Sequence, residues 1–181
     1  MKKREGKIEV GVPLYLLLFI LVIIIYVIQM YKLRIVSAMA EDALAASNLA
    51  AAVVDIKEYG ITGNLIIESP SSAYMVYQET LKVNMSLDDN WMSINSNSVI
   101  SGQVEIVDFI IYNVRGSNVE IHSFGRNPYS LIMENGLGTV SAPDGKIIEN
   151  TSIYSCITFQ VDVAFDITVP AKKYKLVDIT D

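Results

Sequence analysis

One cysteine, one histidine and one tryptophan are all that the 181 residues contain of those types. The lone Cys156 excludes an internal disulfide framework. It leaves the compartment open, because many exported domains fold without bridges. With His122 as the sole imidazole and no second thiol, the chain lacks the Cys/His spacing of a metal site. Gly-rich phosphate loops and serine-elbow patterns are missing as well. Asp88-Asp89-Asn90 lacks the alternating register of a calcium loop and reads as the end of a helix running into solvated loop. Asp162 and Asp166 share a face of an extended segment, yet stand about 13 Å apart along it, too far to share an ion. His122 reads as an exposed or hydrogen-bonded strand residue, and Cys156 sits on the polar face of a strand without a nucleophile's neighbours. The expectation is a protein that is not an enzyme, with no catalytic residue, no metal site and no cofactor.

Charge is missing from one further place. Val10 to Tyr31 gives 22 consecutive residues without a charged side chain. At about 1.5 Å per residue that stretch reaches about 33 Å as a helix, enough to cross a hydrocarbon core of about 30 Å. Pro13 falls in the first turn, where a missing N–H costs little. Lys2, Lys3, Arg4 and Lys7 precede the span and only Lys32 and Arg34 follow closely, which predicts a cytoplasmic N-terminus and an outer remainder. Ala38-Met39-Ala40 has the small-x-small form of a signal cleavage site. The apolar run, however, exceeds the usual core of about 7–15 residues, and two cations intervene, so an uncleaved anchor is the expectation.

The formal charge of −6 is unevenly spread: residues 1–34 carry a net +4, and the remaining 147 residues a net −10. An acidic outer part repels phosphate backbones, which excludes nucleic acid as a natural partner and leaves membrane lipid as the first one.

Beyond the span, Ile35, Met39, Ala46, Leu49, Val53 and Ile56 recur at helical steps. Eight of the ten residues from Ala43 to Ala52 are Ala or Leu, and Gly60 and Gly63 offer stop signals. This predicts a stalk helix over 32–59, continuous with the span. Its small residues Ala43, Ala46 and Ala50 allow close approach of another helix. Ser69-Pro70 opens a second helix with Tyr74, Tyr77, Leu81 and Met85 on one stripe, followed by a polar loop over 88–102. From Gln103 the pattern is that of strands. Gln103–Val114 and Asn118–Phe124 flank a turn at Arg115-Gly116-Ser117, and a second hairpin is expected around Pro143-Asp144-Gly145. From Ile153 to Val169 apolar residues alternate, broken only by Ser155, a run long enough to demand a bend or bulge. Pro170 is expected to end it, with a last strand at Tyr174–Ile179. One apolar and one polar face predict an antiparallel sheet covered on one side by the stalk helix. The fold class is therefore α+β. It comprises a basic leader (1–9), a transmembrane helix (10–31), a stalk helix (32–59) and an extracytoplasmic domain (60–181) dominated by antiparallel strands.

Glu9 stands at the lip of the span, three residues after Gly6. The order is a basic leader, a Gly, a Glu at the start of a long apolar helix, an Ala-rich continuation and a C-terminal sheet. Gly6-Lys7-Ile8-Glu9 with the span, Ala38–Val54, Asn64-Leu65-Ile66-Ile67-Glu68-Ser69-Pro70 and the closing Lys175-Leu176-Val177-Asp178-Ile179 carry that plan. In these features the chain resembles the TadE-like minor pilins, or pseudopilins, of tight-adherence and type IV-like pili in their Gram-positive form. The resemblance implies a pilin-like fold and a structural subunit of a pilus or secretion apparatus. Its partners would be other pilin-like subunits and the assembly machinery. Glu9 would be the carboxylate that sets helix register between subunits, Gly6 the candidate prepilin peptidase site, and the Ala43–Ala52 face the packing surface. The spacing from Gly6 to Glu9 is shorter than is usual at such processing sites. The alternative expectation is a signal-anchored monomeric surface domain that binds or senses through loop 88–102 or the tip near Arg126–Tyr129.

Overall fold

The computed structural model of the protein describes residues 11–95, 98–163 and 167–180. Helix α1 (Gly11–Ala51) runs unbroken for 41 residues, about 61 Å at the standard rise. Its first half is exposed on nearly all sides, with mean hydropathy 2.7 in its most apolar window and none of that window buried. It is the one helix, among the described residues, long and apolar enough to cross a membrane, as in a single-pass membrane protein. The second half of α1 packs on helix α3 (Pro70–Met85) and on a five-stranded antiparallel sheet. The sheet consists of β1 (Ile100–Arg115), β2 (Asn118–Gly125), β3 (Tyr129–Met133), β4 (Ser152–Asp162) and β5 (Thr168–Asp178), in the order β3-β2-β1-β4-β5.

The stalk helix stops eight residues short of the Tyr59 that the periodicity suggested. Asp55 decides this. Its carboxylate accepts from the N–H groups of Lys57 and Glu58 at 2.9 and 3.0 Å, capping a separate short helix α2 (Ile56–Thr62). A residue cannot cap one helix and continue another, and the preceding β-branched Val53 and Val54 lower the cost of leaving the helix. Val54 instead bridges Ile67, and Gly63, at φ 74°, closes α2 in the left-handed conformation.

Two cores flank the sheet. On one face, Phe109 and Ile111 of β1 and Ile153, Ile157, Phe159 and Val161 of β4 meet Tyr77, Leu81 and Met85 of α3 and Val36, Ala40 and Leu44 of α1. On the other, Ile110, Tyr112, Val119, Ile121, Tyr154 and Cys156 are covered by Ala142 and Ile148 from the segment between β3 and β4. The centre of the sheet is therefore buried on both sides, which corrects the expectation of one covered face. Tyr154 and Cys156, counted as polar-face residues, lie in this second core.

The region around Pro143-Asp144-Gly145 is the cover itself. It forms only an isolated bridge, Ser141 to Ile147, in place of a hairpin of two strands. The strand missing from the sequence reading is β3, short and exposed at the sheet edge. A further correction concerns the long alternating run. It is two strands, with Asp162 paired to Thr168 across a reversal whose central residues lie outside the described part. Pro170 does not terminate a strand but sits inside β5, opposite Gln160. An edge strand tolerates proline because one side of its backbone needs no donor. Ser155, the break in the alternation, faces the buried Tyr77 hydroxyl without a hydrogen bond of ordinary geometry. Burial drives the Tyr77 phenol well above its ordinary pKa, and the serine offsets part of that.

Candidate functional site: a helix face and an outer groove

Helix α1 is apolar on two faces, and its own domain uses only one. Val36, Ala40, Ala43, Leu44, Ser47, Asn48 and Ala51 are buried against α3 and the sheet. Ile35, Met39, Leu49 and Val53 are 51%, 39%, 67% and 64% exposed. Within α1, Ile35, Met39 and Leu49, with Asp42 and Ala46 between them, follow alternating steps of four and three, the 3.5-residue spacing of a helix–helix seam, while Val53 lies just past the helix end. The stripe singled out by periodicity in the sequence is thus the face turned away from the domain. Of the proposed packing alanines, Ala46 and Ala50 are exposed, whereas Ala43 is spent on the domain's own core. Ile35, Ala38, Met39, Ala46 and Asn84 border an open groove of about 530 Å³ along this face. Glu9 and Gly6 lie outside the described residues.

The joint between α1 and the sheet is polar. Asn48 Nδ2 donates to the carbonyls of Ile153 and Lys175, at 3.3 and 3.0 Å, reaching β4 and β5 together. Asn84 donates to Ser47 Oγ at 3.3 Å, linking α3 to α1. At the surface, Lys175 Nζ bonds Glu41 at 2.8 Å and holds that carboxyl below the usual range. These contacts fix which side of α1 faces outward.

A second candidate lies where loop 88–95, the start of β1 and the end of β2 converge. Asp88 accepts from the N–H groups of Asn90 and Met92 at 2.8 and 2.9 Å, so its carboxylate forms an Asx turn. Among the described residues no group of three His, Cys, Asp or Glu side chains is placed to hold a metal. Gly125, at φ 107°, is required here. A Cβ on it would stand 2.5 Å from the Val107 carbonyl oxygen. The close crossing lets Arg126 N–H bond Val107 O and brings the Arg126 side chain to Glu105, which it grips through two nitrogens. The polar loop and the Arg126 tip, separate candidates in the sequence, border one cavity.

His122 is a strand residue whose Nδ1 lies 2.9 Å from Ser130 Oγ on β3. Cys156 is fully buried, and burial pushes its thiol above the ordinary value. A maleimide added to the folded full chain at pH 8 should therefore label it at least about a hundredfold more slowly than in denaturant, since access requires opening of the second core. Rapid labelling of the native protein would contradict that placement.

No protein-family model matches the chain, and no curated protein or solved structure does either.

Proposed function

We propose that this chain is a structural subunit, a TadE-like minor pilin or pseudopilin of a tight-adherence or type IV-like pilus or secretion apparatus. It is anchored with its N-terminus in the cytoplasm and its α+β domain outside, and it assembles through α1. The observation that carries the reading is the exposed seam Ile35–Met39–Leu49, aligned with a membrane-length apolar helix and opposite the face bound by the domain. A monomeric protein gains nothing from large apolar side chains on that face. Burial against neighbouring helices contributes on the order of 1 kcal/mol for each of them. Ala46 and Ala50 between them permit close approach, and Glu9 would set the register from below.

The test is cross-linking and co-purification of the full chain from its native membrane, comparing it with Met39→Glu/Leu49→Glu and with Glu9→Ala. Both variants are expected to leave the thermal midpoint within a few degrees of the parent. Both should lose the other short, signal-anchored proteins recovered with it, and pili should disappear. Normal pili and unchanged partners in the seam variant would sink the assembly reading.

The alternative, a monomeric surface-binding domain, is favoured by the cavity at Arg126. On that reading the seam variant retains its activity, because nothing depends on neighbouring helices.

A further inference from the structure

Tyr74 and Gln78 of α3, Trp91 of the following loop, Gln103 and Glu105 of β1, and Arg126 line a cavity of about 310 Å³. That lies at the small end of the range for ligand sites, about 300–1,000 Å³. Its charges are already spent. Arg126 Nε donates to Glu105 at 2.6 Å and a second guanidinium nitrogen bonds the other carboxylate oxygen, so this wall is neutral as a unit. Nearby, Lys82 bonds Asp89 at 3.2 Å and lies 5.2 Å from the centre of the Trp91 ring. A phosphate, a carboxylate or a metal cation finds no uncompensated charge here.

The neutral groups are the reverse. Among the described residues, the Tyr74 hydroxyl, the Gln78 and Gln103 carboxamides and the Trp91 indole N–H make no hydrogen bond. Together they supply donors and acceptors from three separate elements beside two aromatic rings. Tyr74 is held by stacking on Phe124, with ring centres 4.9 Å apart. Trp91 adopts φ 62°, a left-handed conformation that bulky residues rarely take. Its N–H bonds Asp88 O and its carbonyl accepts from Val104 N–H, so the backbone on both sides fixes the ring beside the opening.

A ligand matching these groups is uncharged, carries closely spaced hydroxyl or amide groups, and has an apolar face to lay on an aromatic ring. Those are the properties of a pyranose ring. We propose that the groove binds a neutral saccharide unit, with the hydroxyls paired to Gln78, Gln103 and the outer lone pairs of Glu105, and the C–H face against Trp91 or Tyr74. This goes beyond the assembly reading and stands independently of it.

Trp91 is the only tryptophan, so its fluorescence reports directly on the site. The full chain in dodecylphosphocholine micelles, which carry no sugar, is titrated with chitotriose and with maltotriose. The expected result is a saturable change in emission with half-saturation on the order of 1 mM for at least one of them. A Gln78→Ala/Gln103→Ala variant, which keeps the fluorophore and alters two residues outside the core, should bind at least about tenfold more weakly with unchanged circular dichroism. Three outcomes would overturn the proposal. They are no saturable response to either sugar up to about 50 mM, an identical titration in the variant, or tighter binding of glucose 6-phosphate than of both neutral probes.

Discussion

Truncating Phe109 to alanine is expected to cost about 3–5 kcal/mol, a large share of the roughly 5–15 kcal/mol that holds a domain together. Phe109 is fully buried on β1, with its ring 4.5 Å from Tyr77, 5.4 Å from Tyr74 and 6.2 Å from Phe124. It is therefore the point where α3 is fastened to the sheet. Removing the ring leaves a cavity that three other aromatic residues cannot fill without losing their own geometry. In a thermal melt of the full chain in micelles the midpoint should fall by about 10 °C or more. Ile132→Ala, on the exposed strand β3, serves as the control and should shift it by no more than a degree or two. Phe109→Leu should fall between, since it retains apolar volume and loses the ring contacts. Equal shifts for the Phe109 and Ile132 variants would mean that α3 is not held to the sheet through this cluster.

The second large effect concerns the joint. Asn48→Ala removes the donor that the Ile153 and Lys175 carbonyls share and leaves buried acceptors facing a cavity. The cost should be about 2 kcal/mol, set by the unmet acceptors more than by the lost bonds. Asn48 Oδ1 has no partner among the described residues, which keeps the figure from rising further. The consequence differs in kind from that at Phe109. Hydrogen exchange should rise over residues 36–51 of α1 well before it rises in β1, because the substitution loosens the helix from the sheet without opening the core beneath α3. Ser47→Ala loses a bond to Ala43 O within the same helix and a longer one from Asn84, and should produce a smaller change. Uniform exchange in the Asn48 variant would show that the asparagine is not what docks α1. If α1 bears the assembly seam, this joint also determines how rigidly the domain is presented on a filament.

Much of the architecture was legible because its signals are local. The hairpin at Gly116-Ser117 forms as expected, with Arg115 paired to Asn118. Helix α3 begins at Pro70 and buries Tyr77, Leu81 and Met85 from the expected stripe. Ser69 occupies the cap position in extended conformation, but its hydroxyl bonds Ser72 Oγ at 2.8 Å instead of a backbone N–H. The start of β1 at Ile100 escaped notice because Gly102 and a register shift between Ser101 and Glu105 interrupt the alternation with a bulge. The reversal between β4 and β5 escaped it for a different reason. A period of two carries the same phase through the turn, so apolar residues alternate on both sides of it and nothing in the pattern marks the change of direction. Loop 88–102 and the Arg126 tip stood out separately in sequence, but nothing in it showed that they border one groove, since its walls come from residues 74 to 126 and meet only once the sheet has formed.

By itself the sequence determined a membrane-length helix, an amphipathic second helix and a β-rich remainder, because hydrophobic runs and periods of 3.6 and 2 are properties of neighbours along the chain. Tertiary structure alone decided which side of α1 is spent on the domain and which is left free, that both faces of the sheet are covered, and that Arg126 closes on Glu105. Those outcomes depend on contacts between residues far apart in the chain, which no local pattern encodes. A helix with two apolar faces does not reveal which one its own fold will claim.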